Sequence, residues 1–192
     1  ATVLSDTFCQ LSGTHLIPVT RNETATNPLA ELAIQWFDEK GDSIANPINT
    51  DTTSVAGKSR TIKYTIRQYN KITGCYKDTV VPFVVNKAIK LDMEDLPAVC
   101  QPEVIDFKGK VTDYLTASTT TNITNIGSCD ITYGKIINGT SSAITDAEAS
   151  QIEYTNNIDS MLYTYTVVDG VCSATDSVYV TINQKPSTPI IE

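Results

Sequence analysis

Gly74-Cys75-Tyr76-Lys77-Asp78-Thr79-Val80-Val81-Pro82-Phe83-Val84-Val85-Asn86 is a turn running into a half-buried strand. Val81, Phe83 and Val85 alternate onto one face. The chain writes this pattern a second time, from Gly170-Val171-Cys172 to Asn183, with Val178, Val180 and Ile182 on one face. Cysteine precedes asparagine by 11 positions in both stretches. Further back, Trp36 stands 39 positions before Cys75, and Tyr133 stands 39 before Cys172. Another cysteine opens each copy, Cys9 and Cys100. A repeat this long with matched internal spacing means two copies of one small domain.

Cysteines at fixed places in a repeat read as disulfides, and disulfides place a chain outside the cytosol. They also have a structural task. A domain of half of 192 residues buries roughly 60% of its extended-chain surface and is marginal without a staple. A bridge closing a loop as long as Cys9 to Cys75 adds on the order of 4 kcal/mol in the chain-entropy model. The net charge of −8, with no basic run, argues against nucleic acid, whose affinity comes largely from Lys and Arg on phosphates, and against anionic membrane surfaces. No apolar run approaches the roughly 20 residues that span a bilayer. No signal peptide opens the sequence, so in a secreted parent Ala1 would begin a mature or excised piece.

Strand-and-turn composition continues throughout. Each terminal strand is preceded by another, Thr61 to Tyr69 and Met161 to Val168, across Gly-containing turns at residues 71–74 and 169–170. Leu32, Ile34 and Trp36 alternate on a middle strand, with Cys129, Ile131 and Tyr133 in the equivalent places. Turns follow at Asp38 to Gly41 and at Asn138-Gly139. Strands are also expected near His15 to Val19 and Val104 to Phe107, and the best of the weak helical patterns covers Thr145 to Gln151. Pro82 requires its strand to be an edge or bulged there. Several short strands at this spacing predict an all-β protein of two tandem β-sandwiches, residues 1–88 and 89–185, with a charged link near Lys87 to Pro97. Residues 186–192 read as a Pro-rich linker into a further module.

The ordered series Cys9-Gln10, Trp36-Phe-Asp-Glu-Lys-Gly41, Ala56-Gly57, Gly74-Cys75, Asp78-Thr-Val-Val81 and Val84-Val-Asn86 resembles the Ig-like modules of large secreted or cell-surface Bacteroidetes proteins, which often accompany gliding-motility-type C-terminal sorting domains. The resemblance covers nearly all of the first copy. The second copy is looser: Tyr133 replaces the tryptophan, and six extra residues separate Cys100 from Tyr133. It implies an Ig-like sandwich used as a stalk, spacer or adhesive module, and it brings no catalytic residues. With one cysteine near each domain's start and one past its last hairpin turn, the expected bridges are Cys9–Cys75 and Cys100–Cys172. Cys129 is then a free thiol, on the strand parity that faces the core.

Candidate chemistry is thin. His15 is the sole histidine and sits in a strand, without the Gly-rich turn of a nucleophile. With four cysteines in bridges, too few Cys and His remain for a structural zinc. Carboxylates cluster at Asp38, Glu39 and Asp42, and at Asp92, Glu94 and Asp95, without the loop spacing of a calcium site. Trp36 and Tyr133 are expected in the cores, leaving Tyr69, Tyr76 and Tyr154 as candidate exposed aromatics. Asn22, Asn122 and Asn138 open N-glycosylation triplets, and Asp-Ser/Thr-apolar triplets recur at Asp42, Asp51, Asp78, Asp159 and Asp176. In this composition both patterns also arise as ordinary turn-to-strand sequence. The polar loops Asn22 to Glu31 and Ala117 to Ser128 are the expected binding locations.

The expectation is therefore a non-enzymatic extracellular module with no cofactor, no metal and no membrane insertion. Its partners are neighbouring modules of the same polypeptide and an unidentified surface glycan or protein. The alternative is a carbohydrate-binding module attached to a secreted polysaccharide-degrading enzyme.

Overall fold

A computed structural model describes residues 7–15, 17–19, 31–45, 48–49, 55–100, 103–123, 125–153 and 160–183. The Asn22 loop (residues 22–30), Asp51, Tyr154, Asp159 and the 184–192 tail lie outside the described residues. The chain divides into two compact units, Ala1–Ala88 and Ile89–Glu192.

In unit 1, β1 (Thr7–Cys9), β2 (Thr14–His15), β3 (Leu32–Phe37), β4 (Ser43–Ile44), β5 (Ile48–Asn49), β6 (Ser59–Asn70) and β7 (Tyr76–Asn86) follow in chain order. Five of them form one sheet in the order β1-β7-β6-β3-β4, and β2 pairs with β5 separately. Alternation fixes the inner face. Ile62, Ile66, Val81, Phe83 and Val85 are all buried, each burial contributing on the order of 1.5–3 kcal/mol. Phe8 of β1 and Ile17, just past β2, join Trp36, Ile66, Val81 and Phe83 in one cluster. The expected His15–Val19 strand is shorter, ending at His15. At Pro82 the strand is an edge among the described residues, because β1 pairs only with Val84 to Asn86.

Asn70 locks the turn between β6 and β7. It is 3% exposed, and its Oδ1 accepts the N–H groups of Ile72 at 2.8 Å and Thr73 at 2.9 Å. Gly74, at φ 74°, takes the left-handed conformation that returns the chain to β7.

Unit 2 contains β8 (Leu96–Cys100), β9 (Val104–Ile105), α1 (Phe107–Ala117), β10 (Asp130–Ile137), β11 (Thr140–Ile144), α2 (Asp146–Ser150), β12 (Ile152–Glu153), β13 (Ser160–Asp169) and β14 (Cys172–Asn183). Its main sheet runs β11-β10-β13-β14-β8, with β12 on β9. Both main sheets thus share one plan. The first strand lies parallel to the last, the last two form a hairpin, and a middle strand and its partner complete the sheet. The duplication read from spacing recurs as duplicated topology.

The all-β expectation is corrected in unit 2. The predicted strand Val104 to Phe107 stops at Ile105, and α1 begins at Phe107. Asp106 caps it by accepting the Gly109 N–H at 2.8 Å. Phe107, Val111 and Leu115, spaced four apart, are all buried. Phe107 meets the rings of Tyr133, Tyr163 and Tyr165 at centroid distances of 6.0, 5.4 and 6.4 Å. The helix thus covers the aromatic inner face of this sheet.

Three residues of the charged stretch, Asp92, Met93 and Asp95, bond within unit 2. The Asp92 N–H donates to Tyr114 Oη, the Met93 N–H to Asp176 Oδ2, and Asp95 Oδ1 accepts the Tyr179 N–H.

The second correction is to one disulfide per domain. Cys9 and Cys172 are disulfide-bonded, whereas Cys75, Cys100 and Cys129 are free. Register explains why the expected pairs do not form. Parallel pairing sets Cys9 opposite Asn86 and Cys100 opposite Asn183, at the far ends of β7 and β14. Cys75 and Cys172 stand at the near ends of the same strands. Eleven residues of strand span roughly 35 Å, against the about 4.4–6.8 Å between the α-carbons of a disulfide.

Candidate functional site

The outward face of the unit 1 sheet gathers the most side-chain chemistry. On β3 the inward residues are Leu32, Ile34 and Trp36, so Phe37 faces outward. Register then sets Gln35, Arg67 and Asp78 in one row across the sheet. Phe37, Thr65 and Val80 form the row on one side, and Ala33, Tyr69 and Tyr76 the row on the other. Arg67 binds Asp78 through two parallel bonds, Nε to Oδ1 and Nη2 to Oδ2, both 2.8 Å. The same guanidinium lies 3.9 Å from the Tyr76 ring centre and 4.9 Å from that of Phe37.

The Arg67 hydrogen bonds hold the Asp78 carboxyl below its ordinary range, and Arg67 stays a cation. Tyr76 is 61% and Val80 60% exposed, so an apolar rim with a clamped charge pair faces solvent. Of the aromatics expected at the surface, Tyr69 and Tyr76 lie directly opposite each other here. Phe37 and Arg67 were not singled out from the sequence. Their signal was parity: in Trp36-Phe37 one ring must face in and the other out.

The other sequence candidates are placed elsewhere. Trp36 is 4% exposed and edge-on to Tyr64 at 6.3 Å. Tyr133 is buried against Phe107. Cys129 lies just before β10, half-buried rather than in the core, with its Sγ–H donating to the Asn125 carbonyl. Burial, followed by the charges of Asp169 and Asp130, raises its pKa, which lowers its thiolate fraction and its reactivity.

His15 Nε2 lies 2.7 Å from Ser12 Oγ. The Ser12 hydroxyl also donates to the Cys9 carbonyl. The Phe8 ring lies tilted by 36° against the His15 ring, with centroids 4.4 Å apart. The acidic clusters serve turns and edges. Asp38 Oδ1 accepts the N–H groups of Lys40 and Asp42, and Glu39 accepts from Arg60 and from the Lys63 N–H. Asp176 Oδ2 accepts from Tyr165 Oη at 3.1 Å as well as from Met93. Among the described residues, no group of three or more His, Cys, Asp or Glu comes together as a metal site. Nor is any helix among them long and apolar enough to cross a membrane.

No family model matches the chain, and no curated protein matches it in sequence. Among solved structures, the chain is similar to the first four immunoglobulin domains of Sidekick-1, with 8% identity and a TM-score of 0.38 over 95% of this chain and 48% of that one. It is also similar to the N-terminal four Ig domains of a Dscam1 isoform, with 12% identity and a TM-score of 0.32 over 95% of this chain and 50% of that one. The chain spans about half the length of these structures. In each of the two units the last hairpin sits between a parallel first strand and a middle strand that has its own partner.

Proposed function

We propose that the chain is a non-catalytic structural and adhesive segment of a secreted or cell-surface bacterial protein, acting as a stalk or spacer, in the manner of the Bacteroidetes modules that its cysteine and aromatic series resembles. The observation that carries this reading is the serial repetition of one sheet plan together with oxidised cysteines, which belong to an oxidising compartment. A unit repeated in series supplies length and presentation, and its partners are neighbouring modules of the same polypeptide. The full open reading frame tests it. Further copies of the Cys–aromatic–Cys unit support the stalk, whereas a catalytic domain directly beside these two units overturns it.

One observation favours a second reading, an accessory carbohydrate-binding module. The exposed Tyr76 ring and the Phe37 ring flank a charged pair on an open sheet face, and sugars stack on such rings through their apolar faces. A glycan array tests it. Binding that disappears in Tyr76→Ala supports a sugar site, and binding unaffected by that change, or none at all, removes this reading.

A further inference from the structure

Each unit carries an early cysteine, Cys9 or Cys100, and a late one, Cys75 or Cys172. Strand register sets the early cysteine opposite the last residue of the terminal strand and the late one at that strand's beginning. The two cysteines of one unit therefore lie roughly 35 Å apart and cannot bond to each other. Both positions nevertheless support disulfides, since Cys9, an early cysteine, and Cys172, a late one, are oxidised. Their counterparts, Cys75 and Cys100, are free and exposed.

The surroundings of Cys75 suit a partner. Asn70 fixes the hairpin tip, its N–H donating to the Cys75 carbonyl at 2.9 Å, and the Cys75 N–H donates to Thr73 Oγ1. Ile72 at this tip is 74% exposed and Tyr76 61%. The equivalent tip in unit 2 also exposes an apolar residue, Val171 at 51%, beside the oxidised Cys172. Both tips thus set an exposed apolar side chain beside a cysteine.

We propose that Cys75 and Cys100 are open halves of module-to-module disulfides. Cys75 takes the early cysteine of another module of this kind, and Cys100 takes a late one. Two thiols each lose a proton and together two electrons. The electrons pass to an external disulfide, such as oxidised glutathione, which leaves as two thiols. Cys129 takes no part. The inference goes beyond the stalk reading, which survives its failure, because a stalk needs no cross-links.

The chain itself supplies the test, since it carries one free cysteine of each kind. Incubated with a glutathione redox buffer, it should form head-to-tail oligomers on non-reducing gels. Peptide mapping should then show Cys75–Cys100 links at least about ten-fold over Cys75–Cys75 and Cys100–Cys100 links combined, where random pairing gives about equal amounts. Cys75→Ser and Cys100→Ser should each abolish oligomers. Mixing the two variants should give one dimer, joined Cys75 to Cys100, and Cys129→Ser should change nothing. Random pairing, a Cys75–Cys100 link confined to monomers, or monomers capped by glutathione at both thiols would each overturn the proposal.

Discussion

Arg67 shows how one side chain organises a sheet face. Its guanidinium is shared between a carboxylate and two rings, a geometry that a lysine ammonium does not reproduce. The folded-state pKa of Asp78 is depressed, chiefly by the hydrogen bond from Arg67. The pair therefore contributes stability above the unfolded-state pKa of about 3.9, and that contribution is lost as pH falls through the lower folded value. Carbon-detected NMR titration should place the Asp78 midpoint below the ordinary carboxylate range and return it there in Arg67→Ala. An unmoved midpoint would show that the bidentate bond does not hold in solution. The inward residues at this scale were readable: alternation assigned Trp36 and Tyr133 to their cores. The outward cluster was not, because strands adjacent in space but separate in sequence must be set in register before Phe37, Arg67, Tyr76 and Asp78 become neighbours.

At the scale of elements, hairpins were legible because turns announce themselves locally. Asn138 and Gly139, at φ 50° and 78°, form the two-residue turn that Asn-Gly favours. The first helix was not legible. Its stripe is one residue wide, and Gly109, Thr112 and Thr116 dilute the helical signal. The two threonine hydroxyls bond back to the Lys108 and Thr112 carbonyls, and burial of Phe107, Val111 and Leu115 outweighs the weak propensity. Leu115→Ala should cost about 2–5 kcal/mol, read as a shift in the urea midpoint, and a loss under about 1 kcal/mol would mean that the helix is not docked. The second helix depends on its cap instead. Thr145 Oγ1 accepts the Glu148 N–H, and Glu148 accepts the Thr145 N–H at 2.7 Å, the latter bond being the main cause of the lowered Glu148 pKa. Thr145→Ala removes the threonine side of this box and should cost about 1 kcal/mol. Glu148 should titrate higher in that variant, since its bond from the Thr145 hydroxyl is gone.

For the whole molecule, the repeat was the most legible feature, and it also misled. Matched spacing pointed to two copies, and it was natural to close each with its own pair of cysteines. The direction of the first strand decides otherwise. An antiparallel first strand could have brought its cysteine toward the hairpin tip, but the parallel strand carries it to the opposite end. No local signal in a three- to five-residue strand states which way it pairs. Each unit nonetheless holds its own core, with Phe83 and Val180 both at 0% exposure on the terminal strands. Phe83→Ala should destabilise unit 1 by about 3–5 kcal/mol, and Val180→Ala should destabilise unit 2 by about 2 kcal/mol. Hydrogen exchange read peptide by peptide should show protection falling in β6 and β7 for the first variant and in β13 and β14 for the second. A uniform loss across both units in either variant would mean that the chain unfolds as one body, and that two sheet plans in series do not make two independently stabilised modules.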